Sequence, residues 1–268
     1  MRLAVVQLGY DDAEPMTERV ERVAGLVREQ RGHDLVVLPE LWGATGFGYD
    51  RWEDAAQAVD GALAAAMSAA ARDAGVTLHA GSMVERLPAA GVDGHLLANT
   101  SLLYAADGTL AAVYRKIHRF GFGAGEPALM EAGTDLVLSE IRCGDGESVV
   151  AGLSTCYDLR FPELYRRQLT SGAEMFLVPA AWPAARVGHW TLLGRARAVE
   201  NQCVVVQCNT AGTHAGYEMG GRSQVVAATG EVLAEGSPSA EQVLSVEVDL
   251  GATVAYRERF PVLADRRL

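Results

Sequence analysis

The chain has 268 residues, of which 49% are hydrophobic and 21% are charged, and this balance excludes a disordered or fibrous protein and indicates a sizeable core. Its formal net charge of -11 opposes binding to a phosphate backbone or an anionic lipid surface, so we expect no nucleic-acid partner. The Ala-rich run from 62 to 71 is too short to cross a bilayer and is followed at once by charged residues, so we expect no membrane partner either.

In chain order, the first elements come from apolar, β-branched runs that alternate with segments whose apolar residues are spaced as in a helix. The predicted elements are a strand at 2–8, a helix at 14–31, a strand at 35–38, a helix at 52–74, strands at 76–80, 97–104, 110–114 and 149–155, a helix at 162–170, a strand at 175–178, a helix at 189–200, and strands at 204–206 and 244–248. Gly75 is a plausible C-cap for the second helix, and the Asp107-Gly108 and Thr229-Gly230 pairs predict hairpins. Because helices are interleaved with strands and no Pro/Gly/Ser-rich linker interrupts them, the pattern predicts one layered α/β or α+β domain over residues 1–268.

The four cysteines bear on the cellular compartment. The apolar N-terminal run ends within a few residues at Asp11 and Asp12, which is not typical of a secretory signal peptide. Cysteines in a chain of this length without such a signal are typical of reduced thiols. We therefore expect a cytoplasmic protein without a structural disulfide.

Cys156 lies where an apolar strand is followed by a helix that begins near Pro162. A strand-to-helix turn projects a side chain, and the N–H groups at the start of the helix can receive an oxyanion. Cys156 is therefore a candidate nucleophile. The alternative is a small buried hydrophobic residue, as most free cysteines are, and the local pattern favours neither interpretation.

Glu40 and Lys116 are two further candidates at strand ends. Glu40 follows the predicted strand 35–38, where burial would make a carboxylate a useful base. Its alternatives are a helix cap or an ion pair. Lys116 ends the strand 110–114 beside a second cation, and on its own it would be interpreted as a solvated surface lysine.

The sequence contains no recognisable metal site. The six histidines are scattered, and there is no C-x-x-C pair and no H-E-x-x-H helix. Cys203 and Cys208 are five residues apart in a strand, so alternation directs their side chains to opposite faces. We expect neither a metal ion nor a cofactor.

Three blocks resemble the signature blocks of the nitrilase superfamily of carbon-nitrogen hydrolases, in the same order and with matching spacing. They are Leu38-Pro39-Glu40, Tyr114-Arg115-Lys116-Ile117-His118 and Cys156-Tyr157-Asp158-Leu159-Arg160-Phe161-Pro162-Glu163. The resemblance extends to residues 195–201, 221–223 and 257–267, so it covers nearly the whole chain. It implies a four-layer αββα sandwich that pairs through its helical face into a homodimer or higher oligomer, with the C-terminal tail, about 250–268, in dimer contacts.

The resemblance also implies catalytic roles. Cys156 would attack a small linear amide to form a thioester acyl-enzyme, and Glu40 would move the protons. Lys116 and the backbone N–H of Tyr157 would face the oxyanion. The family carries a second glutamate between the lysine and the cysteine, and Glu126 fits that place. Glu131 is the rival position for the second glutamate.

The cysteine block and the segment around Trp182 resemble the bacterial omega-amidase branch, which acts on monoamides of dicarboxylic acids such as 2-oxoglutaramate. A distal carboxylate would pair with a guanidinium group, for which Arg186 and Arg160 are candidates. For Arg160 we favour instead a local ion pair with Asp158 or Glu163, and Trp182 is expected to form a pocket wall.

Two other functions remain open at this point. One is hydrolysis of simple aliphatic amides or N-carbamoyl compounds by the same residues. The other is a non-catalytic thiol-sensing or interaction protein that keeps the fold, which we rank far lower because all four catalytic positions are filled.

Overall fold

The structure is a computed structural model that describes residues 1–144 and 146–267. Residue 268, at which the predicted domain and the predicted C-terminal tail both end, lies outside the described residues, as does residue 145. The described residues form fifteen strands: β1 (Arg2–Gln7), β2 (Leu35–Val37), β3 (Thr77–Arg86), β4 (Leu97–Tyr104), β5 (Leu110–Arg115), β6 (Met130–Glu131), β7 (Leu138–Arg142), β8 (Ser148–Leu153), β9 (Met175–Pro179), β10 (Val204–Cys208), β11 (Thr213–His214), β12 (Tyr217–Glu218), β13 (Gln224–Val226), β14 (Val232–Glu235) and β15 (Gln242–Glu247). They form seven α-helices: α1 (Met16–Arg28), α2 (Trp52–Ala55), α3 (Ala62–Ala74), α4 (Glu126–Leu129), α5 (Pro162–Thr170), α6 (Val187–Asn201) and α7 (Leu250–Arg259). Short 3-10 helices lie at Tyr49–Arg51, Cys156–Arg160, Ala184–Arg186 and Val262–Asp265.

Two mixed sheets organise the chain. The first has the strand order β15-β1-β2-β3-β4-β5, with β6 beside β4, and the second has the order β14-β13-β10-β9-β8-β7. Three neighbouring strands are parallel in each sheet, namely β1, β2 and β3 in the first and β8, β9 and β10 in the second. The strands that flank these parallel sets are antiparallel to them. The predicted mixture of parallel and antiparallel strands is confirmed.

Alternation along the strands produces the layers. Leu3 and Val5 of β1 belong to a core between the two sheets, whereas Ala4 and Val6 pack against α1 and α3. On the far side of the second sheet, a third core joins β9 and β10 to α5 and α6. The order is therefore helices, sheet, sheet, helices, which is the predicted four-layer αββα sandwich. None of the helices in the described residues has the length and apolar character needed to cross a bilayer.

Cys203 and Cys208 lie on opposite faces of the second sheet, as predicted. Cys208 belongs to the core between the sheets, and Cys203 belongs to the core under α5 and α6. None of the four cysteines, all of which lie within the described residues, forms a disulfide bond.

The helix predicted over 52–74 is wrong in extent, because the structure forms two helices there. α2 ends at Ala55 and α3 begins at Ala62. Between them, the Gln57 N–H donates to the Val84 carbonyl at 3.1 Å, so this segment pairs with the edge of β3 instead of continuing the helix. The Gln57 side chain accepts the N–H of Leu63 at 2.9 Å and so satisfies a donor at the start of α3. The predicted C-cap at Gly75 is confirmed by its left-handed φ of 69°.

The C-terminal segment packs on its own chain at the end of α6. Arg257 Nε donates to the Gln202 carbonyl at 2.9 Å, and Gln202 Nε2 donates to the Phe260 carbonyl at 2.8 Å. Val254 and Phe260 nevertheless remain exposed, at 53% and 52% of their surface. The tail is therefore ordered by contacts within the chain and still presents an apolar surface outward.

Candidate active site

Glu40 is placed by the ends of strands from both sheets. It follows β2, and its backbone N–H donates to the carbonyl of Ala180, just after β9, at 3.3 Å. The preceding residue, Pro39, is crossed by β3 at Gly81, where a Cβ atom would lie only 1.8 Å from the Pro39 carbonyl oxygen. Gly81 also has a φ of 67°, so the close crossing and the left-handed backbone both require glycine. The position of Glu40 therefore depends on this crossing.

Cys156 lies at a tight turn after β8, with a left-handed φ of 47°. A capping box holds the turn: Asp158 Oδ2 accepts the Thr155 N–H at 2.9 Å, and the Thr155 side chain accepts in return. The Asp158 carboxylate also accepts from the Tyr114 hydroxyl at 2.7 Å and from the His118 N–H at 2.9 Å. These bonds tie the turn to the segment that carries Lys116. The predicted strand-to-helix turn is present, although a 3-10 helix precedes α5.

Lys116 lies between two carboxylates. Its Nζ is 2.7 Å from Glu40 Oε1 and 2.8 Å from Glu126 Oε2. All three side chains are nearly inaccessible to solvent, and Cys156 is also buried. Cys156 lines the same cavity as these three side chains, so the thiol adjoins the cluster. The fold thus gathers all four predicted catalytic residues at one buried place.

Burial and mutual charge set the proton affinities in this cluster. Burial raises the pKa of the Cys156 thiol well above its usual value, Glu40 raises it further, and Lys116 opposes the shift. Burial alone would lower the pKa of Lys116, but Glu126 and Glu40 hold it well above its usual value. Burial also raises the pKa of Glu126, against the effect of Lys116. Near neutral pH the ammonium is therefore charged and the thiol is protonated, so the thiol needs a base.

A cavity of about 420 Å³, including its open mouth, leads to the cluster. Its floor carries Glu40, Lys116, Glu126 and Cys156. Its walls are mostly aromatic and apolar and include Gly46, Phe47, Tyr49, Trp52, Phe120, Tyr157, Ala181, Trp182 and Pro183. Trp182 is buried, and its indole N–H donates to the Arg186 carbonyl at 2.8 Å, so this residue forms a fixed wall, as expected. A floor of charged groups below apolar walls suits a small polar substrate.

Two guanidinium groups line the same cavity. Arg160 lies over the Trp182 ring, 4.6 Å from its centroid, and Arg186 lies 5.5 Å from the centroid of Phe120. Burial lowers the pKa of Arg160, and repulsion from Arg186 lowers it further, although an arginine remains charged at any ordinary pH. Across residues 1–144 and 146–267, neither group forms a salt bridge with an acidic side chain. The pair therefore presents uncompensated positive charge to the cavity.

The local ion pair favoured for Arg160 is wrong. Asp158 is turned inward to Tyr114 and His118, and its side chain is fully buried away from Arg160. Arg160 instead contacts His189, with 3.3 Å between Nη1 and Nδ1. The inward bonds of Asp158 hold the nucleophile turn, which leaves Arg160 free to face the cavity.

Glu131, the rival of Glu126, lies outside the cluster. Its carboxylate accepts backbone N–H groups of Asp93, at 2.8 Å, and of His95, at 3.3 Å. It stabilises the loop before β4 and makes no contact with Lys116. Within the described part of the chain, no three or more His, Cys, Asp and Glu side chains are grouped so that they could hold a metal ion.

Sequence reasoning missed two buried asparagines that contact the site. Asn99, in β4, donates to both Glu40 and Glu126. Asn209 accepts the backbone N–H of Trp182 at 2.6 Å and so anchors the pocket wall. A signal for Asn99 was available, because Asn99-Thr100-Ser101 is a polar run inside an apolar strand, where an unpartnered amide would be costly.

The sequence model of the family described as carbon-nitrogen hydrolase matches residues 2–258. The chain therefore belongs to the carbon-nitrogen hydrolase family, and the superfamily resemblance based on the three sequence blocks is confirmed.

Two relatives and one solved structure are similar to this chain over most of its length. The chain is 42% identical over 265 residues to a 2-oxoglutaramate amidase of Paenarthrobacter nicotinovorans, covering 99% of this chain and 89% of that protein. It is 32% identical over 252 residues to the 2-oxoglutaramate amidase of Bacillus subtilis strain 168, covering 94% and 92%. The fold is similar to that of a CN-hydrolase superfamily protein of Xanthomonas campestris. The TM-score is 0.88 and the identity is 28%, covering 100% of this chain and 97% of that one.

Proposed function

We propose that this carbon-nitrogen hydrolase is an amidase of the omega-amidase type, which converts the monoamide of a small dicarboxylic acid to the dicarboxylate and ammonia. The observation that carries the proposal is the buried contact of Lys116 with Glu40 and Glu126 beside the Cys156 thiol. The names of the two relatives described above agree with it.

The reaction proceeds through a thioester. Glu40 accepts the proton of the Cys156 thiol as the sulfur attacks the amide carbon, and a tetrahedral oxyanion forms. The proton then passes from Glu40 to the leaving nitrogen, the C–N bond breaks, and ammonia departs. Glu40 next takes a proton from water as that water attacks the thioester. Collapse of the second tetrahedral species breaks the C–S bond, returns the proton from Glu40 to the sulfur and releases the carboxylic acid, which then ionises.

Lys116 and the backbone N–H of Tyr157 stabilise the oxyanion. Lys116 is suited to this role because both of its carboxylate partners keep it charged, and its salt bridges fix the ammonium without any need for movement. A preorganised donor of this kind is worth roughly 3 to 4 kcal/mol in the barrier. Glu126 holds Lys116 in place and is itself held by the backbone N–H of Phe120.

Arg160 and Arg186 bind the distal carboxylate of the substrate. They repel each other and have no acidic partner among the described residues, so an anion bound between them offsets this repulsion. Their planar donor groups match two carboxylate oxygens, and the rings of Trp182 and Phe120 support them. This charge pair favours a dicarboxylic monoamide over a simple aliphatic amide or an N-carbamoyl compound without a carboxylate.

The test is the mass of the protein during turnover. After 2-oxoglutaramate is added and the reaction is quenched in acid, we expect an acyl adduct on the peptide that contains Cys156. Cys156→Ala should show neither the adduct nor ammonia release, whereas Cys143→Ala, at a buried thiol remote from the cavity, should show both. Normal turnover by Cys156→Ala would rule out the thioester mechanism. Absence of both the adduct and ammonia release in the wild type would instead favour the alternative of a non-catalytic thiol-sensing or interaction protein.

The assembly and the compartment belong to the same proposal. We place the protein in the cytoplasm, as one domain that forms a homodimer or a higher homo-oligomer. Leu192 and Val199 are exposed on α6, and Val254 and Phe260 are exposed on the adjoining C-terminal segment, so the helical layer presents an apolar surface that a second copy would cover. Sedimentation of the purified protein tests this, and Leu192→Asp should shift the species toward the monomer.

A further inference from the structure

Asn99 lies at the centre of the carboxylate cluster, yet neither the sequence blocks nor the proposed mechanism gives it a role. Its Nδ2 is 2.8 Å from Glu40 Oε1 and 2.6 Å from Glu126 Oε1. Lys116 Nζ binds the same two oxygens, at 2.7 Å and 3.0 Å. The four side chains therefore form a closed ring, in which an amide and an ammonium alternate with two carboxylates. The Asn99 side chain is 2% exposed, so water does not compete for these bonds.

The ring offsets the repulsion between the carboxylates of Glu40 and Glu126. Two carboxylates share one ammonium in a dry site, and burial together with repulsion from Glu40 raises the pKa of Glu126. A second cation would remove that repulsion but would also weaken the base. An asparagine amide supplies two N–H donors and no charge, so it can bind both carboxylates at once. Among the described residues, the Asn99 carbonyl oxygen has no hydrogen-bond partner, so the donors determine how the side chain is oriented.

The ring also distinguishes the two oxygens of Glu40. A carboxylate oxygen offers two acceptor positions, and both positions on Oε1 are occupied, one by Lys116 and one by Asn99. From the residues that the structure describes, Oε2 accepts one hydrogen bond, from the backbone N–H of Ala181 at 2.9 Å. One acceptor position on Oε2 therefore remains for the proton of the Cys156 thiol.

We propose that Asn99 is a positioning residue that holds Glu40 and Glu126 together on Lys116 and directs the proton moved during catalysis to Oε2 of Glu40. This inference rests on the proposed function, because it assumes that Glu40 exchanges a proton with Cys156. Asn99 need not touch the substrate, since it acts through the two carboxylates.

The test compares the pH dependence of kcat/KM in three variants. In Asn99→Ala the carboxylates lose a shared donor, so a proton binds them more readily and the acid limb of the profile moves up by about one pH unit. In Asn99→Asp a third carboxyl competes for the same protons and the acid limb moves up further, while kcat falls at least about tenfold at the optimum and KM changes little. Asn201→Asp is the matched control, because Asn201 is also buried and, within the described part of the chain, its Oδ1 has no partner and its Nδ2 bonds only to α6. Its acid limb should coincide with that of the wild type.

The result that overturns the inference is an unshifted acid limb in Asn99→Ala together with a lowered thermal midpoint, since a purely structural residue would change stability alone. If Asn99→Asp does not fold, Asn99→Ser replaces it, because serine is smaller and uncharged. The measurement is again the position of the acid limb of the pH profile of kcat/KM. The acyl adduct on Cys156 separates this outcome from failure of the proposed function. An adduct with an unshifted limb removes only the role of Asn99, whereas normal turnover by Cys156→Ala removes the mechanism itself.

Discussion

The carboxylate of Glu40 accepts a hydrogen bond from the backbone N–H of Ala181, with 2.9 Å between Oε2 and the nitrogen. Glu40 follows β2 of the first sheet, and Ala181 comes shortly after β9 of the second. The proposed base is therefore held by both sheets at the edge where their parallel strands end. Substitutions that move either partner should affect turnover more than they affect folding.

Gly46 tests this dependence. A Cβ atom at Gly46 would lie 2.5 Å from the Cβ of Ala181, so Gly46→Ala must displace the segment that donates to Glu40. We expect kcat/KM to fall at least about tenfold, because small misplacements of catalytic groups are costly. Gly25→Ala is the control, since a Cβ at that position in α1 meets nothing within 4 Å. It should keep full activity and stabilise the protein by about 0.5 to 1 kcal/mol. Unchanged kinetics in Gly46→Ala would contradict the dependence.

A second prediction concerns Glu126 and Glu131, the two positions that the sequence offered for the second catalytic glutamate. Glu126→Gln removes one of the two anions that hold Lys116, so we expect kcat to fall about a hundredfold or more. Glu131→Gln keeps an acceptor for the loop N–H groups of Asp93 and His95 and should stay within about twofold of the wild type. Steady-state kinetics on one amide measure both variants. Equal losses of kcat in the two variants would show that Glu126 is not needed to hold Lys116.

The guanidinium pair predicts a difference between substrates. In Arg160→Met and Arg186→Met, KM for 2-oxoglutaramate should rise about tenfold or more, because a charge-assisted contact to the distal carboxylate is lost. For a neutral amide of similar length, the same variants should show little change in KM. Arg28→Met, at an exposed ion pair with Asp73, is the control and should alter neither substrate. An equal rise for charged and neutral amides would mean that the arginines shape the pocket without binding the carboxylate.

The thiol of Cys156 gives a prediction in pH. Burial, with a further contribution from Glu40, raises its pKa well above the usual value, so the fraction of thiolate grows with pH across the neutral range without levelling off. The rate of modification by methyl methanethiosulfonate should therefore keep rising from about pH 6 to about pH 9. Lys116 lowers the pKa of this thiol, so Lys116→Met should react more slowly at every pH in that range. Cys156→Ala supplies the background from the other thiols, and a plateau below about pH 7 would contradict the raised pKa.

Much of the site could be predicted because its residues follow strands. Cys156, Glu40 and Lys116 each come directly after an apolar run, and parallel strands that end at one edge bring such positions together. The four layers follow from alternation within those same runs. The segment between α2 and α3 could not be predicted in this way, because its helix-like composition yields to a backbone bond from Gln57 to the edge of β3. Local spacing contains no information about that partner.

The partners of Arg160 and Asn99 could not be predicted, for a related reason. Asp158 is two residues from Arg160 in sequence, but the hydroxyl of Tyr114 and the N–H of His118 compete for its carboxylate and lie on another strand and loop. Asn99 is 59 residues from Glu40 and 27 from Glu126, so only the fold shows that one amide bonds to both. Contacts of this range depend on how strands align, which the one-dimensional pattern leaves open.

The cluster is carried by two different layers: Lys116 and both glutamates belong to segments of the first sheet, with Glu40 also bonded to Ala181, and Cys156 follows β8 of the second sheet. A slip of one sheet over the other by a fraction of an ångström would therefore part the thiol from its base without exposing any core residue. The rate of turnover therefore depends on how the two sheets are aligned with each other. Enlarging Ala151, which is fully buried between the sheets, should slow the enzyme at temperatures where its circular dichroism is still native.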